Sequence, residues 1–542
     1  MKLLFFFSLF FLNNTQTMLS QNYQLTPQPN QIIERDGSFI ISNETQFVIS
    51  SDNKSISELF SKYLENDFNI VPQKTDFQKL KKNFIQFKID ENLTEEGYEL
   101  SISKDNITIC SKSETGWFYA IQTLKQLCAY NSRYSKFEKT LTLKSLIIKD
   151  APRFKWRAFM LDEARYFKGM KQVKMLIDEM AFLKMNIFHW HLVDDQGWRI
   201  EIKKYPKLTE IGSKRKSTQV GPLQWESPIQ SGEPHEGYYT QEQIKEIIQY
   251  AKERQITIVP EIEMPGHSTA AIAAYNWLGT SKNKIDVPIK FGVGKDVYDV
   301  TDQKVYRFLT DVLDEVIALF PSKIIHIGGD EVKYNHWKSS ASVQKYMKEN
   351  NLDTPADLQV YFTNSISKYL QSKGRRMMGW NEIMGHKLHF YQDKKDSKTT
   401  QKLAKESIVH FWKGDVKLAT TAASNGYEIV NSLHNFTYLD YKYKNLPLSK
   451  AYGFDPIPDK LDPKYHSKVI GLGCQMWGEW IPTDGEMHFK VFPRIAAYAE
   501  IGWTEKNNKN FTQFKKSLKN LQNRWNAKGI YFAQDEFVEK KK

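Results

Sequence analysis

Eight short runs rich in β-branched and aromatic residues alternate with helix-patterned stretches between residues 151 and 505, and the residues before them follow a different, mixed order. Repeated β-α units imply a parallel sheet with helices outside it. Eight such units over roughly 350 residues imply closure into a barrel. Polar and aromatic residues also gather where each run stops, which is where such a barrel carries its active site. The sequence is therefore of the α/β class, a (β/α)8 TIM barrel preceded by a smaller α+β domain. An open doubly wound sheet is the rival architecture. It would show a Gly-rich phosphate turn after its first strand, and Asp162-Glu163-Ala164-Arg165 is not one.

Residues 1–20 read as a signal peptide: a basic start at Lys2, an apolar run over 3–12, then polar residues to Ser20. The run is shorter than the ~20 residues a bilayer span takes. The expectation is an exported product (periplasmic, extracellular or lysosomal) with no transmembrane anchor. Residues 21–150 form the α+β domain, with strands over 39–41, 47–49, 84–89, 98–102 and 107–109 and helices over 55–66 and 116–130. At Asp150-Ala151-Pro152 the pattern changes. Residues 151–505 form the catalytic barrel, with strands over 156–161, 187–193, 257–262, 324–327, 376–380, 408–412, 428–433 and 469–475. Helices are expected between them, over 170–184, 241–254, 302–320 and 356–373. Residues 506–542 form a C-terminal helical tail.

Composition narrows the function. With 41% hydrophobic and 26% charged residues in 542, the chain is neither disordered throughout nor a polytopic membrane protein. Its formal charge of +13 comes from scattered lysines rather than a recognition motif, so no nucleic-acid partner is expected. Three cysteines make neither a disulfide scaffold nor a CxxC metal site, although a single Cys110–Cys128 bridge stays open. Thirteen tryptophans suit a planar or carbohydrate ligand. Oligomeric state leaves no trace in the sequence.

Three groups of residues carry chemistry. In His326-Ile327-Gly328-Gly329-Asp330-Glu331, strand alternation sends 326, 328 and 330 one way. Gly328 then leaves room in the barrel mouth, Asp330 projects inward and Glu331 falls on the rim. Two adjacent carboxylates in a dry pocket repel, so their pKa values split and one keeps its proton. A surface pair capping the next helix is the plain alternative. Trp380, Trp412 and Trp477 all stand at strand ends with Tyr438 beside them, and indole faces pack on pyranose rings and methyl groups. His189 and His191 share one strand face. With His267 and Asp330 they suggest a metal-dependent hydrolase, against which stands a set of hydrogen-bonded supporting histidines.

These motifs, with Leu161-Asp162-Glu163-Ala164-Arg165, the run 189–199 and Pro260-Glu261-Ile262-Glu263-Met264-Pro265-Gly266-His267, resemble those of the β-N-acetylhexosaminidases of glycoside hydrolase family 20. The resemblance covers about 150–505 and extends to the preceding domain. It implies an exo-acting, retaining hydrolase of terminal N-acetylhexosamine that needs neither cofactor nor metal. In it Glu331 is the general acid and base, and Asp330 orients the 2-acetamido group whose oxygen attacks the anomeric carbon. Tyr438 binds that oxygen, and Trp380, Trp412 and Trp477 enclose the acetamido methyl. Arg165, Asp440 and Glu479 hold the outer hydroxyls, and Asp195 belongs to the same substrate-binding set. His267 supports Glu331 and is itself backed by Glu263. The chain departs from the family pattern at Glu263, Tyr166 and Asn381. The segment 213–237, with Trp225, is expected on the rim, where it would select the leaving group. A sugar-binding protein without catalysis is the competing class.

Overall fold

The protein is described by a computed structural model over residues 23–48, 54–75, 80–131 and 139–539. The expected signal peptide lies outside these residues, as does Ile49 at the end of an expected strand. The chain divides into two compact units, one taking Pro29–Asp150 and the other Ala151 onward together with Thr26–Gln28.

The first unit is a seven-stranded mixed sheet. Its spatial order is Gln31–Ser42, Thr140–Asp150, Tyr98–Ile102, Asn106–Ser111, Phe84–Ile89, Gln46–Val48 and Gln73–Thr75. Helices Lys54–Phe68 and Glu114–Asn131 accompany it. The strands Gln73–Thr75 and Thr140–Asp150 add to those expected. In the latter, Leu141 and Leu143 are buried between exposed Thr140, Thr142 and Lys144, the period of two that marks a half-buried strand.

In the second unit eight parallel strands close into a barrel: Trp156–Asp162, Ile187–His191, Thr257–Glu261, Ile324–His326, Arg376–Trp380, Ile408–Phe411, Glu428–Asn431 and Val469–Met476. Helices outside and side chains inside bury both strand faces, so the first two strands are buried at every residue. The lumen changes character along its axis. Trp156, Ala158, Ile187, Val259, Met378, Ile408 and Val430 pack its lower layer. Two residues further along, the same strands turn inward Met160, His189, Glu261, Trp380, His410 and Ser432, all buried. The polar layer is thus the next step of the same alternation.

The fourth strand stops sooner than expected. After His326 the backbone turns left-handed at Gly328 (φ +64°) and Gly329 (φ +87°), and again at Glu331 (φ +51°). Alternation therefore does not aim Asp330; a left-handed turn does. Nor does Gly328 leave open room, because a Cβ there would lie 1.7 Å from Glu263 Oε2. Glycine at 328 is what lets the Glu263 carboxyl sit against the strand end.

At the C-terminus, helix Phe511–Ala527 belongs to the same compact unit as the barrel. Trp525 Nε1 donates to Glu179 Oε2 at 3.0 Å, and Arg524 and Lys528 pair with Glu179 Oε1, each at 3.0 Å. Cys110, Cys128 and Cys474 are free thiols, so the Cys110–Cys128 bridge is not formed. No helix among the described residues is long and apolar enough to cross a membrane.

Candidate active site

The turn after strand four presents Asp330 and Glu331 side by side. Asp330 is 7% exposed, and its Oδ1 is buried with no hydrogen-bond partner among the described residues. Glu331 is more open, its side chain 21% exposed. Its φ of +51° is a strained conformation for a residue with a side chain, worth ~1–3 kcal/mol that the surroundings must supply. Burial pushes the Asp330 carboxyl well above the usual range; His267 opposes this, and Glu382 and Glu331 add to it.

His267 Nε2 lies 3.7 Å from both Asp330 Oδ2 and Glu331 Oε2. Its Nδ1 is held by Asp194 Oδ1 at 3.1 Å and Asp195 Oδ2 at 3.3 Å. The expected backing by Glu263 is corrected here: Asp194 and Asp195 occupy the far side of the ring, while Glu263 Oε2 takes the Gly329 N–H at 3.4 Å. Burial lowers the His267 pKa, but Asp194 and Asp330 outweigh it and carry the ring well above its ordinary value. The carboxyls on both sides of the ring favour its protonated form.

Asp194 is the hub of one wall. It takes Arg165 Nη2 at 2.8 Å and His191 Nε2 at 3.0 Å as well as His267. Burial would raise its carboxyl; Arg165 and His267 outweigh that and hold it far below the usual range. Arg165 also pairs with Asp162 at 3.0 Å and approaches Glu479 at 3.9 Å. Asp440 Oδ1 is buried and without a partner among the described residues, and burial, with Glu479 adding, pushes this carboxyl up to about 7. Asp195 does not join the substrate-facing set. It is fully buried and accepts from Thr269 N at 3.1 Å, Thr269 Oγ1 and Gly294 N at 2.7 Å, so it anchors loops.

The aromatic group converges. Trp380 lies 6.4 Å from Trp412 and 6.0 Å from Trp477 between ring centroids, and Tyr438 stacks on Trp412 at 5.9 Å with 4° between planes. Burial, with Asp330 among the contributing charges, raises the Tyr438 phenol well above its ordinary range. Trp412 Nε1 donates to Glu382 Oε2 at 2.9 Å, and Asn381 ties the ends of strands five and six through Trp412 N and Lys413 O, each at 3.0 Å. Trp225 is 55% exposed and meets Trp480 edge-on at 5.5 Å, so segment 213–237 flanks the wall that carries Arg165 and Glu479.

Below the bowl, Glu261 gathers the histidines. His191 Nδ1 lies 2.5 Å from Oε2, His189 Nε2 2.9 Å from the same oxygen, and His326 Nδ1 2.9 Å from Oε1, to which Trp380 Nε1 donates at 2.8 Å. Donor atoms of His189, Glu261 and His326 lie within 4.8 Å of one another, the spacing a metal would need, as do those of His267, Asp330 and Glu331. The quartet His189, His191, His267 and Asp330 does not come together in one group; its members divide among different ones.

Sequence reasoning gave no role to Glu261, Asp194, Glu382 or His389. Asp194 and Glu382 were among the polar residues expected at strand ends, without a role, and Glu261 stands inside a motif that holds His267. His389, whose Nδ1 is 3.3 Å from Glu331 Oε1, sits in an irregular polar segment with no local signal.

Residues 154–506 match the glycosyl hydrolase family 20 catalytic domain, and residues 22–151 match domain 2 of the same family. A β-hexosaminidase of Porphyromonas gingivalis is 36% identical over 94% of this chain, and the chain spans 64% of that protein's length. A β-hexosaminidase of Vibrio furnissii is 34% identical over 88% of this chain and 76% of its own. Among solved structures, a GH20 exo-β-N-acetylglucosaminidase of Vibrio harveyi in complex with N-acetylglucosamine superposes with a TM-score of 0.80 at 30% identity, covering 94% of this chain and 78% of that one.

Proposed function

The chain belongs to glycoside hydrolase family 20, and from that premise we propose that it is a β-N-acetylhexosaminidase that releases terminal non-reducing N-acetyl-β-D-hexosamine with retention of configuration. One observation carries the mechanism. The two carboxylates occupy neighbouring positions on one turn, with Asp330 Oδ1 buried and unpartnered. A retaining enzyme that uses its own nucleophile needs carboxyls on opposite faces of the sugar, about 5–5.5 Å apart. Neighbours on one turn cannot flank a ring in that way. The substrate's acetamido oxygen therefore attacks the anomeric carbon, forming the C1–O bond of a cyclic oxazolinium as the C1–O bond to the leaving group breaks.

Asp330 accepts the acetamido N–H and balances the charge that develops there. Glu331 gives its proton to the departing oxygen, then takes one from the water that opens the ring. The imidazolium of His267 stabilises both carboxylates as they become anionic. Trp380, Trp412 and Trp477 enclose the acetamido methyl while Tyr438 holds its oxygen. Arg165, Glu479 and Asp440 bind the outer hydroxyls and close the pocket beyond one sugar, which makes the enzyme exo-acting.

The test compares an aryl 2-acetamido-2-deoxy-β-glycoside with the matching glycoside lacking the N-acyl arm, each with and without chelator. Fast cleavage of the first alone, indifferent to chelator, is expected; equal rates on the two refute neighbouring-group attack. A thiazoline mimic of the oxazolinium should bind far more tightly than the free sugar. We further propose export of the chain, carried by the apolar run at 3–12; N-terminal sequencing of the secreted or periplasmic form checks it.

A further inference from the structure

The segment between the fifth and sixth barrel strands brings a second imidazole to the acid. His389 is 4% exposed, with Nδ1 3.3 Å from Glu331 Oε1, the oxygen other than the one His267 approaches. Its backbone is pinned by a local loop in which Leu388 N and His389 N both donate to Gln392 Oε1, at 2.9 and 3.0 Å. Its ring stacks on Tyr391 at 5.0 Å with 16° between planes. Nε2 lies 3.0 Å from Glu382 Oε1, and the other oxygen of Glu382 takes Trp412 Nε1. Glu382 therefore ties together the ring beside the acid and an indole of the bowl.

We propose that His389 is a positioning residue for Glu331, its Nδ1 lone pair accepting the acid's O–H while Glu382 fixes the ring through Nε2–H. This rests on Glu331 being the general acid. The charged and titratable groups around the ring set its state. Glu331, Glu382 and Tyr391 face it, Lys413 Nζ lies 3.2 Å from Nδ1, and Lys333 lies over the Tyr391 ring. Burial lowers the His389 pKa to about 4; Glu331 opposes, and Lys413, Lys333 and His267 reinforce. The ring is neutral at the pH where the acid must work. Burial, with Glu331 adding, pushes the Glu382 carboxyl up to about 7, so above that value its anion on Nε2 selects the Nε2–H tautomer, whose single Nδ1 lone pair is shared between the Lys413 ammonium and the acid's O–H. That tautomer places an acceptor toward the Glu331 O–H, the group that must be aimed at a leaving oxygen. The cationic His267 on the other oxygen favours the anion that follows. The two imidazoles support successive states of one carboxyl.

The experiment measures kcat against pH for wild type, His389→Phe, Glu382→Gln and Glu331→Gln, on a 2,4-dinitrophenyl glycoside and on a disaccharide. Losing the Nδ1 acceptor makes Glu331 easier to ionise, so the alkaline limb of His389→Phe should move to lower pH. Disaccharide turnover should fall ~10-fold or more, and dinitrophenyl turnover under ~3-fold, because only the poor leaving group needs the proton. Glu382→Gln keeps the ring but leaves one acceptor oxygen for two donors, His389 Nε2–H and Trp412 Nε1–H, and should move the limb the same way; it carries the test if the Phe variant does not fold. Unmoved limbs in both variants, or equal losses on both substrates, overturn the role of His389. If Glu331→Gln also fails to discriminate between the substrates, the acid assignment itself falls; if it discriminates while His389→Phe does not, only the present inference falls.

Discussion

Asp194→Asn removes one charge and almost no volume, and its consequence can be worked from three distances. Asp194 holds Arg165 at 2.8 Å, His191 at 3.0 Å and His267 at 3.1 Å. Without the anion, burial acts on His267 with less opposition and the ring tends to lose its proton. His267 Nε2 stands 3.7 Å from the carboxyls of Asp330 and Glu331. At that distance, and an effective dielectric constant near 20, a full charge pair is worth about 4 kcal/mol. As Glu331 gives up its proton this pair forms, so the loss falls on the transition state, a slowing of roughly 10²–10³. The assay is kcat on a disaccharide, whose leaving oxygen needs the whole proton, with the His267 ring titrated by NMR in both proteins. A variant within tenfold of wild type whose His267 has become neutral would refute the electrostatic role. So would a loss confined to KM, since Arg165 would then be the part that mattered.

Asp330→Asn should damage kcat more than KM, and the wild-type acid limb of kcat/KM should lie above the usual carboxylate range of ~4. The raised pKa of Asp330 has that sign, because activity needing its anion is lost as pH falls through it; a limb at the ordinary value refutes the assignment. Gly328→Ala puts a methyl 1.7 Å from Glu263 Oε2 at φ +64°, so the melting temperature should fall by several degrees, a cost of ~2 kcal/mol or more. Adding Glu263→Ala should recover part of it, and a non-additive double-mutant cycle measures the coupling. Glu179 is fully buried; burial pushes its carboxyl up, but Arg524 and Lys528 outweigh it and hold it below the usual range. Its stabilising share is therefore present above the unfolded value of ~4.3 and lost as pH falls through the folded one. Glu179→Gln should lower the melting temperature at pH 7 and reduce its decline toward pH 3; equal declines would refute this.

The barrel was legible because buried parallel strands are continuous apolar runs and because their polar stops announce the rim. Ile187 to His191 shows both, apolar at its base and imidazole at its top. Strand Thr140–Asp150 was overlooked although its leucines alternate, as it follows a helix and stands apart from the other strand runs. Within the site, residue identity was legible and partnership was not. Asp194 and Asp195 lie in the motif 189–199 and Glu263 in the motif that holds His267, and sequence offers no means of deciding which one reaches its ring. The left-handed turn at Gly328 and Gly329 decides part of it, by seating Glu263 against the strand end. Asp195 reaches the ring at 3.3 Å while also holding Thr269 and Gly294, and Asp194 reaches it at 3.1 Å. His389 shares no periodicity with its neighbours, so only the folded loop reveals it.

The buried acids of this barrel fall into two kinds, and partnership separates them. Glu261 is surrounded by three imidazoles and Asp194 by an arginine and two imidazoles; in both, these partners outweigh burial and hold the carboxyl below its usual range. Glu263, Asp330 and Asp440 have fewer cations, or acids nearer than cations, and burial raises all three. The ionised pair fixes geometry: Glu261 orients Trp380, and Asp194 orients His267 and Arg165. The raised group includes both acids whose buried Oδ1 lacks a partner among the described residues, Asp330 and Asp440. Those two oxygens suit an amide N–H and a sugar hydroxyl, donors that a terminal N-acetylhexosamine brings with it. The energetic cost of leaving them unsatisfied in the free protein, ~1–3 kcal/mol each, is relieved by the ligand. A 2-acetamido sugar should therefore bind better than its 2-hydroxy counterpart by more than methyl burial against the indoles accounts for.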